Sequence, residues 1–162
     1  MKQFAVIGSP ITHSLSPNLH KEVFKQLNVN ASYRRVDILP ENLEKFFLNN
    51  EFDGFNVTIP HKISIMKHLS DLDTTAEKIS AVNCVHNNIG YNTDWVGFLY
   101  AMNLNNIKLK NKDCLIIGSG GASYAIAYAL MQCKVRSIRI KNRSADSKTN
   151  LINWINNQFE NK

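Results

Sequence analysis

A chain of 162 residues, 44% hydrophobic and 20% charged, is large enough to bury a real core as one ordinary domain or two small ones. Its net charge of +6 is unevenly placed: Lys134, Arg136, Arg139, Lys141, Arg143 and Lys148 crowd one stretch against a single acid, Asp146. No aromatic residues interleave with those cations, so a phosphorylated small molecule is expected as partner and nucleic acid is not.

In chain order, Phe4 to Gly8 reads as a buried strand, and the N-terminus turns polar too soon for a secretion signal. Ser16 is predicted to cap a helix with Pro17 at its first position, followed by Leu19, Val23, Phe24 and Leu27 at helical spacing. Strands are expected over Tyr33 to Ile38 and Phe55 to Thr58. A helix opened by Pro40-Glu41 lies between them, and another follows at Ile63 to Leu69. This alternation predicts a parallel sheet covered by helices. Next come a short helix near Asp73 to Ile79 and two strands, Val82 to His86 and Ile89 to Asn92, around Asn87-Asn88.

Trp95 to Met102 is expected to be helical, and the polar stretch Asn103 to Asp113 marks the expected boundary. A second unit then reads strand (Cys114 to Gly118), helix (Gly121 to Cys133), strand (Val135 to Ile140) and helix (Ser144 to Gln158). The predicted architecture is therefore α/β: a parallel-sheet substrate-binding domain over 1–103, then a Rossmann-type dinucleotide-binding domain over 104–162 that is truncated at less than half a complete fold. No apolar run is long enough to cross a membrane. Cys84, Cys114 and Cys133 lack metal or redox spacing and are expected to be buried thiols in a reducing cytoplasm. The histidines show no metal spacing, and no metal is expected.

Three motifs carry chemistry. Asn56-Val57-Thr58-Ile59-Pro60-His61-Lys62 places a lysine just past a strand's carboxyl end, where open α/β sheets hold ligands. Gly90-Tyr91-Asn92-Thr93-Asp94-Trp95 puts an aspartate at a helix start. Gly118-Ser119-Gly120-Gly121-Ala122-Ser123 is a glycine-rich turn flanked by strand and helix, which lets backbone approach a pyrophosphate. From Cys114 through Ala145 there is no Asp or Glu to bind a ribose hydroxyl, and Arg143, with Lys141 and Lys148 nearby, suits a 2′-phosphate instead. NADP (NADPH) is therefore the expected cofactor.

These motifs, in this order, resemble shikimate dehydrogenase, together with Gly8-Ser9-Pro10-Ile11, His13-Ser14-Leu15-Ser16-Pro17, Ala81-Val82-Asn83 and Asn142-Arg143-Ser144. The resemblance runs from Phe4 to about Asn150. It departs at Lys21, where the family commonly has asparagine, at Ser80, where it has glycine, and at Ser147, where it has a basic residue.

The resemblance implies reversible NADPH-dependent reduction of 3-dehydroshikimate to shikimate in aromatic amino acid biosynthesis. Lys62 is the implied general acid–base and Asp94 its orienting partner. Ser14 and Ser16 would donate to the substrate carboxylate, and Thr58 and Asn83 would bind its hydroxyls. Gly118, Ser119, Gly120, Gly121, Ala122, Asn142, Arg143, Ser144 and Lys148 would bind the cofactor. The implied partners are small molecules, with no membrane or nucleic acid, and the chain is implied to be a monomer or homodimer. Two alternatives remain: a non-catalytic shikimate-binding module, and a quinate/shikimate dehydrogenase relative.

Overall fold

The computed structural model describes residues 1–160 and separates the chain into two compact units. The first comprises Met1–Lys78 and Val82–Tyr91, and the second Ile79–Ala81 and Asn92–Lys162. The units part near Tyr91, upstream of the polar stretch where the sequence suggests a boundary. Helix α4 (Asp94–Leu104) counts with the second unit because Trp95 packs edge-on against Tyr128, with ring centroids 5.3 Å apart.

The first unit is built on a six-stranded sheet in the order β2-β1-β3-β5-β6-β4. Its strands are β1 (Lys2–Gly8), β2 (Ala31–Asp37), β3 (Gly54–Val57), β4 (Asp71–Leu72), β5 (Cys84–His86) and β6 (Ile89–Tyr91). β1 pairs in parallel with β2 and β3, as the alternation predicts. The β5–β6 hairpin, however, joins β3 antiparallel, so the sheet is mixed. Only two residues, Asn87 and Asn88, separate β5 from β6, and both take positive φ (50° and 59°). Such a tight turn can connect only antiparallel strands.

Helices α1 (Ser16–Gln26), α2 (Leu43–Asn49) and α3 (Thr74–Ile79) belong mainly to this unit. The segment expected as a helix after Lys62 is a short 3-10 turn, Ser64–His68. Ala5, Ile7, Phe55, Val57, Ile65 and Val85 form the core beneath α2, with Phe46 and Phe47 packed on it. α3 is capped by Asp73, whose Oδ1 accepts the backbone N–H groups of Thr75 and Ala76, each at 3.0 Å.

The second unit pairs β7 (Asp113–Ile117) in parallel with β8 (Ser137–Lys141), flanked by α5 (Gly121–Gln132) and α6 (Ala145–Glu160). Ala125, Ala127, Leu130, Leu151 and Ile155 form its core. Asparagine supplies most of the non-glycine residues at positive φ (Asn28, Asn87, Asn88, Asn106 and Asn111), so part of its abundance serves turns that need the left-handed region. Ser80, also left-handed at φ 57°, stands where the resembling family carries glycine, the residue that region favours. The three cysteines are free but only half-buried, not fully buried as expected: Cys84 opens β5, Cys114 lies near the start of β7, and Cys133 follows the end of α5.

Candidate functional site

In the first unit the carboxyl ends of β1 and β3 meet in close backbone contact. The Thr58 N–H donates to the Ile7 carbonyl at 2.9 Å, and the Ser9 N–H donates to the Ile59 carbonyl at 3.0 Å. Gly8 makes this approach possible: a Cβ there would sit 2.6 Å from Thr58 Cγ2 and 2.7 Å from the Ile59 carbonyl oxygen. Cis peptide bonds precede Pro10 and Pro60 on the two loops.

Lys62 lies one turn beyond Thr58, and its carbonyl accepts the Val82 N–H at 2.7 Å. The loop is anchored by His61, which is fully buried, with Nε2 2.6 Å from the Ile38 carbonyl. A carbonyl only accepts, so Nε2 carries the proton, and Nδ1 is left buried without a partner. Asn83 follows Val82 directly; its carbonyl accepts the Val57 N–H at 2.8 Å and the Asn56 side-chain amide at 3.3 Å. Backbone hydrogen bonds thus join Lys62 to Val82, the residue before Asn83, and Asn83 to Val57, the residue before Thr58.

The serine motif differs from its sequence reading. Leu15, not Ser16, is the residue preceding helix α1, and no side chain caps that end in the expected way. Ser14 does the nearer work: its Oγ accepts the Ser16 N–H at 3.3 Å and donates to Ser16 Oγ at 3.2 Å. Arg35 of β2 holds the Ser14 carbonyl with two guanidinium N–H donors, at 2.8 and 2.6 Å. Two half-buried hydroxyls thus stand at a helix N-terminus, the type of position that attracts anions.

Asp94 belongs to the second unit and opens α4 as a first-turn acid. Its placement depends on Asn92, which is buried. Asn92 Oδ1 accepts the Asp94 N–H at 3.1 Å, while its Nδ2 donates to the Ala81 carbonyl at 2.8 Å.

The glycine-rich turn lies between β7 and α5 as predicted. Gly118 takes φ +115°, and space around Gly120 is open. Asn142 crosses from the end of β8: its amide donates to Ser119 Oγ at 2.5 Å and to the Ser144 carbonyl at 3.2 Å. Ser144 Oγ accepts the Ser147 N–H and so begins α6. A cavity of about 570 Å³ is lined by Ile117, Gly118, Lys141, Asn142 and Arg143. The left-handed glycine, the open backbone, the helix start and the exposed cations fit a dinucleotide bearing an extra phosphate. Arg136, one of the six clustered cations, is paired with Asp113, an acid outside the basic stretch in sequence. Among the described residues no group of side chains could hold a metal ion, and no helix is long and apolar enough to cross a membrane.

Sequence reasoning gave no part to Tyr33 or Arg35 and read Asn56 and Asn92 only as members of their motifs, yet a signal existed for the first two. Tyr33 and Arg35 alternate along β2 and so share a face, and that face is the one turned toward Asn56 and Ser14.

Residues 6–85 match the family described as the shikimate dehydrogenase substrate binding domain. An NADP(+) shikimate dehydrogenase of Nitrosopumilus maritimus is 44% identical over 161 residues, covering 94% of this chain and 59% of that protein. A solved shikimate dehydrogenase in complex with NADP+ superposes with a TM-score of 0.87 at 38% identity, covering 99% of this chain and 57% of the other. The Thermus thermophilus enzyme in complex with shikimate gives 0.86 at 33% identity, covering 96% and 62%. The chain therefore spans about three-fifths of the length of the relatives it matches. Residues 6–85 thus match the shikimate dehydrogenase substrate binding domain, and the chain that carries them is similar to shikimate dehydrogenases through both of its units.

Proposed function

We propose that this chain serves the reversible NADPH-dependent reduction of 3-dehydroshikimate to shikimate in aromatic amino acid biosynthesis. The observation that carries the reading is that backbone hydrogen bonds join Lys62 to Val82 and Asn83 to Val57 beside Thr58 at the carboxyl end of β3, with Ser14 and Ser16 at a helix start of the same unit. Ser14 and Ser16 bind the substrate carboxylate, and Thr58 and Asn83 bind ring hydroxyls. Lys62 delivers a proton to the ketone oxygen during reduction and recovers it from the hydroxyl during oxidation. Asp94 accepts a hydrogen bond from that hydroxyl. Gly118, Ser119, Gly120, Gly121 and Ala122 would cradle the pyrophosphate of NADPH, and Asn142, Arg143, Ser144 and Lys148 would hold its adenosine side and extra phosphate; when bound, the cofactor would supply the hydride.

In this reading residues 1–103 are the substrate domain and residues 104–162 part of the cofactor domain, a division by chemistry that leaves α4 on the substrate side because it carries Asp94, although it is compact with the second unit. The partners are small molecules, and the chain acts as a monomer or homodimer in the cytoplasm, a setting that suits its free thiols.

A second reading, a shikimate-binding module without turnover, is favoured by one fact: the family that residues 6–85 match is described as a substrate binding domain. The two are separated by following NADPH consumption with 3-dehydroshikimate beside calorimetry with shikimate. Binding with oxidation supports the enzyme, and binding without oxidation supports the module. Absence of shikimate binding refutes both.

A further inference from the structure

We infer that Arg35 makes the site at Ser14 and Ser16 selective for an anion, by holding a positive charge beside the hydroxyls that meet the substrate carboxylate. The inference rests on the functional reading above and deepens it, adding the charge that two neutral hydroxyls lack.

β2 is the edge strand of the six-stranded sheet, and its side chains alternate between two faces. Arg35 and Asp37 share one face, and each holds one end of the turn over residues 11–14. Arg35 Nε and Nη2 donate to the Ser14 carbonyl at 2.8 and 2.6 Å, while Asp37 Oδ2 accepts the Ile11 N–H at 3.4 Å. The turn closes on itself through the Ser14 N–H, which donates to the Ile11 carbonyl at 3.0 Å. An exposed arginine ordinarily spreads its charge over many rotamers. Two N–H donors of a planar fork converging on one oxygen confine this one.

Covalent dimensions then bring that charge close to the hydroxyls. The carbonyl oxygen and Oγ of one serine lie roughly 3–4 Å apart, which puts the guanidinium carbon roughly 5–7 Å from Ser14 Oγ. Ser16 Oγ is 3.2 Å further on, so the pair shares the field. Only two of the five guanidinium donors are spent on Ser14, and no carboxylate of the described residues pairs with Arg35. Asp37 stands on the order of 7 Å along the strand and reaches to the other end of the turn.

The chemical consequence concerns selectivity. Hydroxyls alone separate a carboxylate from an ester poorly, because both present acceptor oxygens. What the anion adds is Coulombic attraction, and a fixed cation at this range supplies it. Arg34 carries the same charge one residue away but faces the other side of β2, with Cζ 4.8 Å from the centre of the Phe52 ring.

The test is calorimetry on the full chain with shikimate and with its methyl ester, which lacks the anion, at low and high salt. Arg35→Gln should lower the acid-to-ester affinity ratio about three- to fivefold, the worth of one exposed charge at this distance. The ratio of the unsubstituted chain should fall as salt rises, and that of Arg35→Gln should fall much less. Arg35→Lys gives up the fork but keeps the charge, and should retain most of the ratio. Arg34→Gln removes an equal charge from the opposite face and should leave the ratio unchanged.

An unchanged ratio in Arg35→Gln overturns the inference while the functional reading stands. An equal fall in Arg35→Lys and Arg35→Gln also overturns it, since the side chain would then act by bracing Ser14 and not by charge. So does an equal fall in Arg34→Gln, which would make the effect one of net charge. Failure of the unsubstituted chain to bind shikimate overturns the functional reading as well. Should Arg35→Gln not fold, Arg35→Thr takes its place under the same criteria, threonine being suited to a strand.

Discussion

Gly8→Ala tests the geometry at the head of the sheet. The added Cβ would lie 2.6 Å from Thr58 Cγ2, 2.7 Å from the Ile59 carbonyl oxygen and 3.1 Å from Ile11 Cδ1. Comfortable carbon contacts are about 3.5–4.0 Å, so something must move by about 1 Å. The loop cannot retreat freely. Ile59 O holds the Ser9 N–H, Thr58 N–H holds Ile7 O, and Gly8 O holds the Ile38 N–H, all at 2.9–3.0 Å. Overpacking of this kind costs about 1–3 kcal/mol, partly offset by the ~0.4–1 kcal/mol that alanine gains from a less mobile unfolded chain. A net loss of about 1–2 kcal/mol corresponds to a fall in melting temperature of roughly 2–8 °C for a protein of this size.

Thr58 is displaced in the process, so shikimate affinity should fall up to about tenfold, the worth of one hydrogen bond. Thermal unfolding followed by circular dichroism, with calorimetry for shikimate, reads both effects. Gly97→Ala is the control: nothing lies within 4 Å of its Cβ, and it sits inside α4. That substitution should stabilise by about 0.5–1 kcal/mol through helix propensity alone. A Gly8→Ala protein that melts and binds like the unsubstituted chain, or that shifts in the same direction as Gly97→Ala, would refute the reasoning.

Other outcomes follow from the same structure. Lys62→Ala should lower turnover by about 10²–10⁴-fold in any active form while calorimetric shikimate affinity changes little; lost binding at an unchanged rate would contradict its role. Arg143→Ala should weaken NADP by about 10–100-fold and NAD far less, since a charge-assisted contact to phosphate is worth about 1.5–3 kcal/mol. Equal weakening in a fluorescence titration of both cofactors removes the 2′-phosphate assignment. Asp73→Ala should cost about 1 kcal/mol at pH 7 as a lost helix cap. Partial desolvation pushes the Asp73 carboxyl upward, but hydrogen bonds from the Thr75 hydroxyl and the N–H groups of Ala76 and Thr75 outweigh it and hold the pKa below the ordinary 3.8. Its contribution is therefore present above pH 3.8 and fades as pH falls through the lower folded value, so the stability gap to Asp73→Ala should narrow in acid denaturation. A gap constant between about pH 7 and pH 2 would be the contrary finding.

The alternation of elements, the glycine-rich turn and the lysine past a strand end were legible in the chain because they are local: periodicity and turn chemistry act within a few residues. Asn87-Asn88 likewise announced two adjacent strands. Their antiparallel insertion beside β3 was a question of which edge of the sheet was free, which local pattern does not encode. The unit boundary shows the same limit. Polar residues 103–113 suggested a break, yet α4 packs through Trp95 on Tyr128, a contact between residues far apart in sequence.

At the site, residue types named the chemistry, while long-range contacts decided the supports. Ser16 was read as a cap from its neighbours, but Ser14 receives its N–H, and Arg35 of a distant strand braces Ser14. Tyr33, Asn56 and Asn92 act through hydrogen bonds that span up to 27 residues of sequence. The amino-acid order alone determined which groups could bind and transfer protons, because that follows from side-chain type and strand-end position. Only tertiary folding decided which backbone and side-chain partners hold them, since such bonds exist only once distant strands have been brought within about 3 Å of one another.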